Sequence, residues 1–544
     1  MDTAPFKSSS SPSLTRRRWD SSIPPALRPV VRAYLLGYAY AVGPRLLTLL
    51  LQHVVRRRLR KRTKKQTTTA HDAQNGEPFS AALRGILVRA LDWQRFPTFC
   101  AALVGGTTLL EVSLAVPFFH PHLAVYDAPC MTLIKNALLQ RPLAVLLDSP
   151  CRISRWLASF IAAWLSLRLL QSKQTPSFTD TVSGRPGPND PPKTVHLAGR
   201  TLDLTLFAVT RALDVLGGEL WHRRKLRRQA AGTWTRAESA ISRLTDPAVF
   251  AISSGLIMWT WIYLPPRLPR AYNKWIGSAA AVDPRLITAL QRCRQRDIIY
   301  GRDTGQAPLL GSMCADYGWP AEWGDPAKTV PFPCEMVHMG CGPSCELHAV
   351  SRFARSFRWA MVTYLPLSLV LAARGLRRSS SNNANTRNVQ PALRSALLSS
   401  TRSSSFLATF ITLFYYGVCL ARNRLGPILP LGGSGGHNDD DNDNATAARA
   451  SRFQRIDGGL CVGAGCVLCG WSILLEHPGR RKDMALFVAP RALAALFPRR
   501  YALDAQWRET LAFAASTAVV FTCVAENRAR VRGMMGSVLG TVLG

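Results

Sequence analysis

The chain has 544 residues, with 68 Lys and Arg against 33 Asp and Glu and a formal net charge of +35; hydrophobic residues make up 47% of it. The cations sit at the ends of apolar runs, not on a soluble basic face with interleaved stacking aromatics, so the charge excludes a nucleic-acid module and points to membrane flanks and anionic headgroups. Several of the thirteen cysteines, among them Cys100, Cys419, Cys466, Cys469 and Cys523, lie inside apolar runs, which excludes the disulfide framework of a small secreted domain.

Residues 1–29 read as a disordered basic tail. Met1–Ser22 is rich in Ser, Pro and Arg and lacks the apolar stretch of a secretory signal. An entry helix follows over Ala33–Val54, closed by the basic run Arg56–Arg62 with Lys64 and Lys65. Three long apolar helices are predicted next, over Phe99–Phe119, Arg152–Leu170 and Val249–Leu264. They lie near the roughly 17–25 residues that cross a bilayer. Between the last two fall a Pro/Gly/Ser loop, Lys173–Pro192, and a short amphipathic helix starting at Asp203 that is too charged to span. The second half repeats this order. Its entry helix is Phe353–Ala373, a Ser/Asn linker occupies Ser379–Asn388, and long helices cover Phe406–Leu420, Gly458–Leu475 and Leu511–Val524. A disordered acidic insert, Gly432–Ala448 with Asp439, Asp440 and Asp441, interrupts it.

Self-comparison supports a duplication. The stretch beginning at Asp203 matches that beginning at Asp483, with Leu206/Leu486, Phe207/Phe487, Arg211/Arg491, Ala212/Ala492 and Leu213/Leu493 coinciding. Ala82-Leu83-Arg84 answers Ala392-Leu393-Arg394, Phe99 answers Phe406, Trp164 answers Trp471 and Phe250 answers Phe513, all in one order. The predicted fold class is therefore an all-α, polytopic helical membrane protein. It comprises two tandem parallel repeats, 30–276 and 351–535, each with about four spans and one short Asp…Arg helix. A Cys/His-containing linker covers 277–350 and a C-terminal tail 536–544. Four spans per copy place Arg56–Lys65, Arg223–Arg228 and Arg374–Arg378 on one side.

Three groups of residues invite a role. Asp203 and Arg211 share a helix face but stand too far apart along it to pair. Capping and surface charge, docking of the repeats through Asp203–Arg491 and Asp483–Arg211, and a substrate path lined by these four all remain open. Gly459 and Gly463, with Ala158 and Ala162 in the first copy, are small residues at the spacing that lets helices cross closely. In the linker, Cys334, His338, Cys341 and Cys345, followed by His348, have spacings open to a zinc site, a disulfide such as Cys334–Cys345, or free thiols. Glu111 and Glu476 are acids without a partner nearby in sequence, and no catalytic motif is present, so no enzyme is expected.

At Cys334, His338 and Cys345, followed by Tyr364-Leu365-Pro366-Leu367 and Val370 to Arg374, the chain resembles the transmembrane protein 135 family. Ser404 to Ala408, Cys419, Arg422 and the stretch Arg481, Leu486, Ala492, Leu493 continue the likeness. The resemblance implies a multi-span protein of peroxisomal or mitochondrial membranes linked to organelle dynamics and lipid handling. It also implies a distant likeness to mitochondrial translocase channels and a peroxisomal four-span membrane protein. The functional expectation is transport or lipid and solute handling in an organelle membrane. The alternative is a structural membrane protein that recruits division or tethering partners through its linker and tails.

Overall fold

The computed structural model describes residues 20, 22–25, 27–63, 79–115, 150–182, 193–380, 389–428, 441–527 and 530–543. The N-terminal tail before residue 20, Lys64 and Lys65, the end of the first long apolar run (116–119), 183–192, 381–388 and 429–440 (with Asp439 and Asp440) lie outside them. About 81% is helical with almost no strand, as the all-α reading expects. Six helices among the described residues are long and apolar enough to cross a membrane: Arg28–His53, Arg152–Gln171, Cys345–Leu376, Val389–Leu425, Thr446–Leu475 and Leu503–Glu526. The chain is thus a multi-pass membrane protein. Two of the eight expected spans do not qualify. The apolar helix Phe96–Glu111 is shorter. Val249–Leu264 belongs to a helix whose first half carries Arg236, Glu238, Arg243 and Asp246.

The residues divide into two compact units that do not follow the order of the chain: the described residues up to 197 together with those from 502, and the residues 198–501 between them. The first unit holds α1 (Arg28–Thr63), α2 (Phe79–Ala90), α3 (Phe96–Ala115) and α4 (Pro150–Gln171). In it, α1 packs on α3 and α3 on α4, and Gly106 lies so close to Ala162 that an added Cβ would meet its methyl at 2.8 Å. Part of the expected loop is instead a strand, β1 (Thr179–Val182), paired antiparallel with β2 (Lys193–Ala198) in the register Thr179 opposite His196.

The second unit runs through α5 (Leu202–Ala230), α6 (Arg236–Tyr263), α7 (Arg270–Ala280), α8 (Pro284–Gln295), α9 (Ala307–Tyr317), α10 (Cys334–His338), α11 (Cys345–Ser380), α12 (Val389–Leu420), α13 (Asp441–Arg455), α14 (Cys461–Cys469) and α15 (Pro478–Leu496). The first Asp…Arg helix, expected to be short, is the 29-residue α5, which continues through the basic run. A capping box starts α6: Thr235 Oγ1 accepts from Glu238 N at 3.2 Å, and Glu238 Oε2 accepts from Thr235 N at 3.1 Å. Gly199, at φ +112°, passes against the Arg499 carbonyl, an approach that only a residue without Cβ allows.

Two further helices, α16 (Gln506–Glu526) and α17 (Met534–Leu543), complete the first unit. The expected C-terminal tail is therefore largely helical, and Val542 shares a buried cluster with Ala33, Val104 and Phe521. Helix α16 packs on α4, the Phe99 and Phe513 rings meet at 5.9 Å, and Arg152 pairs with Glu526 at 2.5 Å. In the second unit α6 packs on α14, and Phe250 and Phe406 meet at 5.7 Å.

The segment between α6 and α11, expected as a linker, is folded. Helices α7–α10 share one core with the ends of α6, α12 and α14, including Ile276, Cys293, Leu310, Met313 and Met336 beside Trp261, Phe414 and Val462. Arg352 Nη1 donates to the Ala280 and Ala281 carbonyls at 3.0 and 3.1 Å, closing the C-terminus of α7.

Two glycines meet where α12 crosses α14: an added Cβ on Gly417 of α12 would meet Gly465 Cα of α14 at 2.9 Å. Overpacking of this kind costs about 1–3 kcal/mol. Gly417→Val should therefore lower the thermal midpoint of the detergent-solubilised protein. Gly375→Val, with nothing within 4 Å, should leave it within error and serves as the control.

Candidate metal centre and buried ion pair

Four side chains converge where α10, the start of α11 and the end of α12 meet. Cys334 Sγ lies 3.6 Å from His338 Nε2, 3.9 Å from Cys345 Sγ and 3.7 Å from Cys419 Sγ, and Cys419 Sγ lies 3.6 Å from His338 Nε2. All four donor atoms fall within 4.8 Å of one another, a group that could hold a metal ion. Cys334 and His338 are brought together by one helical turn. The turn after α10, with Met339, Gly340 and Gly342 all at positive φ, folds the chain back so that Cys345 starts α11 beside them. His338 Nδ1 bonds the Gly342 carbonyl at 2.7 Å, leaving Nε2 facing the sulfurs.

Two sequence expectations change here. Cys341 is not part of the group; its sulfur contacts Ser351 Oγ at 3.5 Å and Arg355 Nη2 at 3.8 Å. The fourth member is Cys419, whose place in an apolar run reads as a small hydrophobe. Cys334, Cys341, Cys345 and Cys419 are all free thiols, so Cys334–Cys345 is not a disulfide. His348 is not a member either. Fully buried, it stacks on the His338 ring at 4.6 Å, and neither of its ring nitrogens has a hydrogen-bond partner among the described residues.

Electrostatics favour a thiolate at the centre. The Cys334 thiol is held down to about 4, first by the Cys419 thiol beside it, against desolvation by burial, and then by His338 and the charge of Arg422. At His338 burial opposes the charged ring, but the Cys334 sulfur and the Gly342 carbonyl outweigh it and raise its pKa.

One turn beyond Cys419 stands a buried ion pair. Arg422 Nε lies 2.8 Å from Asp457 Oδ1, and Arg422 Nη2 donates to Asp457 Oδ2 at 3.1 Å and to the Phe332 carbonyl at 2.7 Å. Tyr300 donates its hydroxyl to Asp457 Oδ2 at 2.5 Å. Both charges sit in π-helical turns, Ala421–Leu425 after α12 and Ile456–Leu460 before α14. These wide turns aim the two side chains inward at one height. Gln454 ties the same place to the folded segment, donating to the Cys293 and Ile298 carbonyls at 2.9 Å each. An apolar cavity of about 70 Å³ adjoins the pair, lined by Trp261, Leu286, Leu310, Met336 and Phe414 among others.

The Asp/Arg quartet is not drawn together as a docking pair at Asp203. Its partner is Arg499 Nη2 at 3.0 Å, while Arg491 donates to the Phe487 carbonyl at 2.7 Å and covers the Phe487 ring at 3.8 Å. Arg211 is buried with its guanidinium 5.1 Å from the Phe207 ring, and Asp483 stands in the first half of α15. Of the small residues, Ala158 and Ala162 are buried in the first unit. Gly459 breaks the helix at φ +156°, and Gly463 lies beneath Trp259. Close crossings are made instead by Gly465 with Gly417 and by Gly470 with Ala251. Both lone acids find partners: Glu111 meets Arg155 at 2.5 Å, and buried Glu476 meets Arg480 at 3.3 Å.

No family model, no curated protein and no solved structure matches the chain.

Removing one partner of a buried ion pair strands the other and costs about 3–5 kcal/mol, whereas replacing both by apolar residues is often neutral. Arg422→Met should sharply lower the thermal midpoint in detergent. The double variant Arg422→Met, Asp457→Leu should recover most of the loss. A double variant no better than the single one would contradict this account of the pair.

Proposed function

We propose that the chain is a non-enzymatic scaffold of an organelle membrane, which presents the folded segment 265–344 to other proteins while its helices hold it in the bilayer. The observation that carries this reading is the single core shared by that segment and α6, α12 and α14. A segment so packed is a rigid platform and not a tether. Its surface also suits a partner: Tyr317 and Trp319 stack at 4.7 Å, Trp319 and Trp323 follow at 6.1 Å, and Tyr317 is 38% exposed. The transport reading has less support, because none of Asp203, Arg211, Asp483 and Arg491 lines the 70 Å³ cavity. The likeness to the transmembrane protein 135 family supports a peroxisomal or mitochondrial membrane. The basic end of α5, Arg223 to Arg228, is assigned to anionic headgroups, and the cluster around Cys334 to a zinc ion.

The same reading takes the chain as two copies of one helix set, with the last long helix of each lodged among the first helices of the other. The support is the pair of ring contacts. Phe99 and Phe406 are equivalent in the two copies, as are Phe250 and Phe513. Each aromatic pair joins one copy to the other, Phe99 with Phe513 and Phe250 with Phe406.

The test has two arms. A photo-crosslinking residue at Tyr317 should capture another protein in intact organelles, while one at Val362, 72% exposed on α11, should capture lipid. Purified protein in liposomes should pass lipid and small solutes no faster than empty vesicles. Flux abolished by Arg211→Ala with Arg491→Ala, or crosslinks from Tyr317 to lipid alone, would refute the scaffold.

A further inference from the structure

We propose that Cys334, His338, Cys345 and Cys419 bind one zinc ion in a closed tetrahedral site, and that this ion fastens the folded segment to the end of membrane helix α12. The site stands on its own geometry; the fastening role rests on the scaffold reading above.

The separations fit a single ion. Zinc binds thiolate sulfur at about 2.3 Å and imidazole nitrogen at about 2.0–2.1 Å in a tetrahedron, which places sulfurs about 3.8 Å apart and sulfur about 3.6 Å from nitrogen. The sulfur–sulfur contacts of Cys334 are 3.7 and 3.9 Å, and both sulfur–nitrogen contacts to His338 are 3.6 Å. Packing alone gives no reason for four soft donors to share one set of edges. The outer groups suit the same ion. The Gly342 carbonyl fixes His338 with Nε2 inward, and Asn423 Nδ2 approaches Cys345 Sγ at 3.1 Å, an N–H to sulfur contact that orients a thiolate ligand.

Three sulfurs and one nitrogen select zinc among the common divalent ions. On binding, the three thiols release their protons to solvent and His338 enters as neutral imidazole. The centre then carries one net negative charge, with Arg422 one turn along the same helix from Cys419. Four protein ligands leave no open position, so the site is structural and not a Lewis acid. Its ligands come from three elements: α10 supplies two, the first turn of α11 one and the end of α12 one.

Full-length protein purified in detergent without chelator should contain one zinc per chain by elemental analysis. Cys419→Ala should cut this at least tenfold. Cys341→Ala should leave it unchanged, and His338→Cys, a four-thiolate set, should retain it. The wild type supplies a readout independent of variant folding. After chelation, cobalt should restore one equivalent with the visible bands of a tetrahedral thiolate site, and alkylation of Cys334 and Cys345 should rise only in the metal-free state. Wild type that neither carries nor takes up one equivalent of zinc or cobalt, or Cys419→Ala that keeps a full equivalent, would overturn the site. A full zinc site with no protein crosslinked from Tyr317 would instead count against the scaffold alone.

Discussion

The Arg422–Asp457 pair is the constraint around which the second unit is arranged. Two opposite charges buried at the ends of membrane helices are costly unless each finds its partner and its remaining hydrogen bonds. Here Asp457 accepts from both Arg422 and Tyr300, and Arg422 also reaches the Phe332 carbonyl. Tyr300 and Phe332 belong to the folded segment, so the further hydrogen bonds of the pair are made only when that segment is in place.

Cys419 at the end of α12 and Arg422 in the π-helical turn that follows make two sets of contacts one turn apart. The first gathers α10 and the start of α11; the second gathers the start of α14 and the loop before α10. Tyr415, one turn earlier, adds a hydroxyl bond to the Ala280 carbonyl at 3.0 Å and lies beneath the Arg352 guanidinium at 4.3 Å. Consecutive turns at one helix end thus hold the folded segment at separate points. Such a helix end resists tilting of the segment in a way that apolar contact alone, being non-directional, does not.

The helical class and most of the spans were legible from the sequence because apolar runs and their charged ends are local signals. Val249–Leu264 and Phe99–Phe119 were read as spans on apolarity, yet the first shares its helix with Arg236 and Asp246 and the described apolar part of the second is shorter. The candidate site was half legible. Cys334, His338 and Cys345 fall within one short stretch, but Cys419 is far along the chain inside an apolar run, where a cysteine reads as filler. Cys341 has a better local spacing and the wrong direction, since the glycine turn carries it outward to Ser351. Arg422 and Asp457 carry a local signal of their own: single opposite charges at the ends of neighbouring apolar runs must each find a partner. The folded nature of 265–344 was hidden by its many prolines and glycines, which here punctuate short helices.

The order of the chain and the order of packing differ, and this has a consequence for assembly. In the first unit α4 packs with α16, and Phe99 of α3 meets the Phe513 ring, although α16 lies far later in the chain. Phe99, Ala163 and Leu167 are all buried in the complete unit, Phe99 against the Phe513 ring of α16. Lipid is a tolerable stand-in for apolar residues, because the hydrophobic effect does not discriminate between a chain of methylenes and a leucine. It is a poor one for Arg152, whose partner Glu526 arrives with α16. The first unit therefore draws on α16 for a charge partner as well as for apolar packing. The same holds in the second unit, where Asp457 reaches Arg422 only after α12 and α14 are both inserted. In both units an ion pair ties together elements from separate parts of the chain.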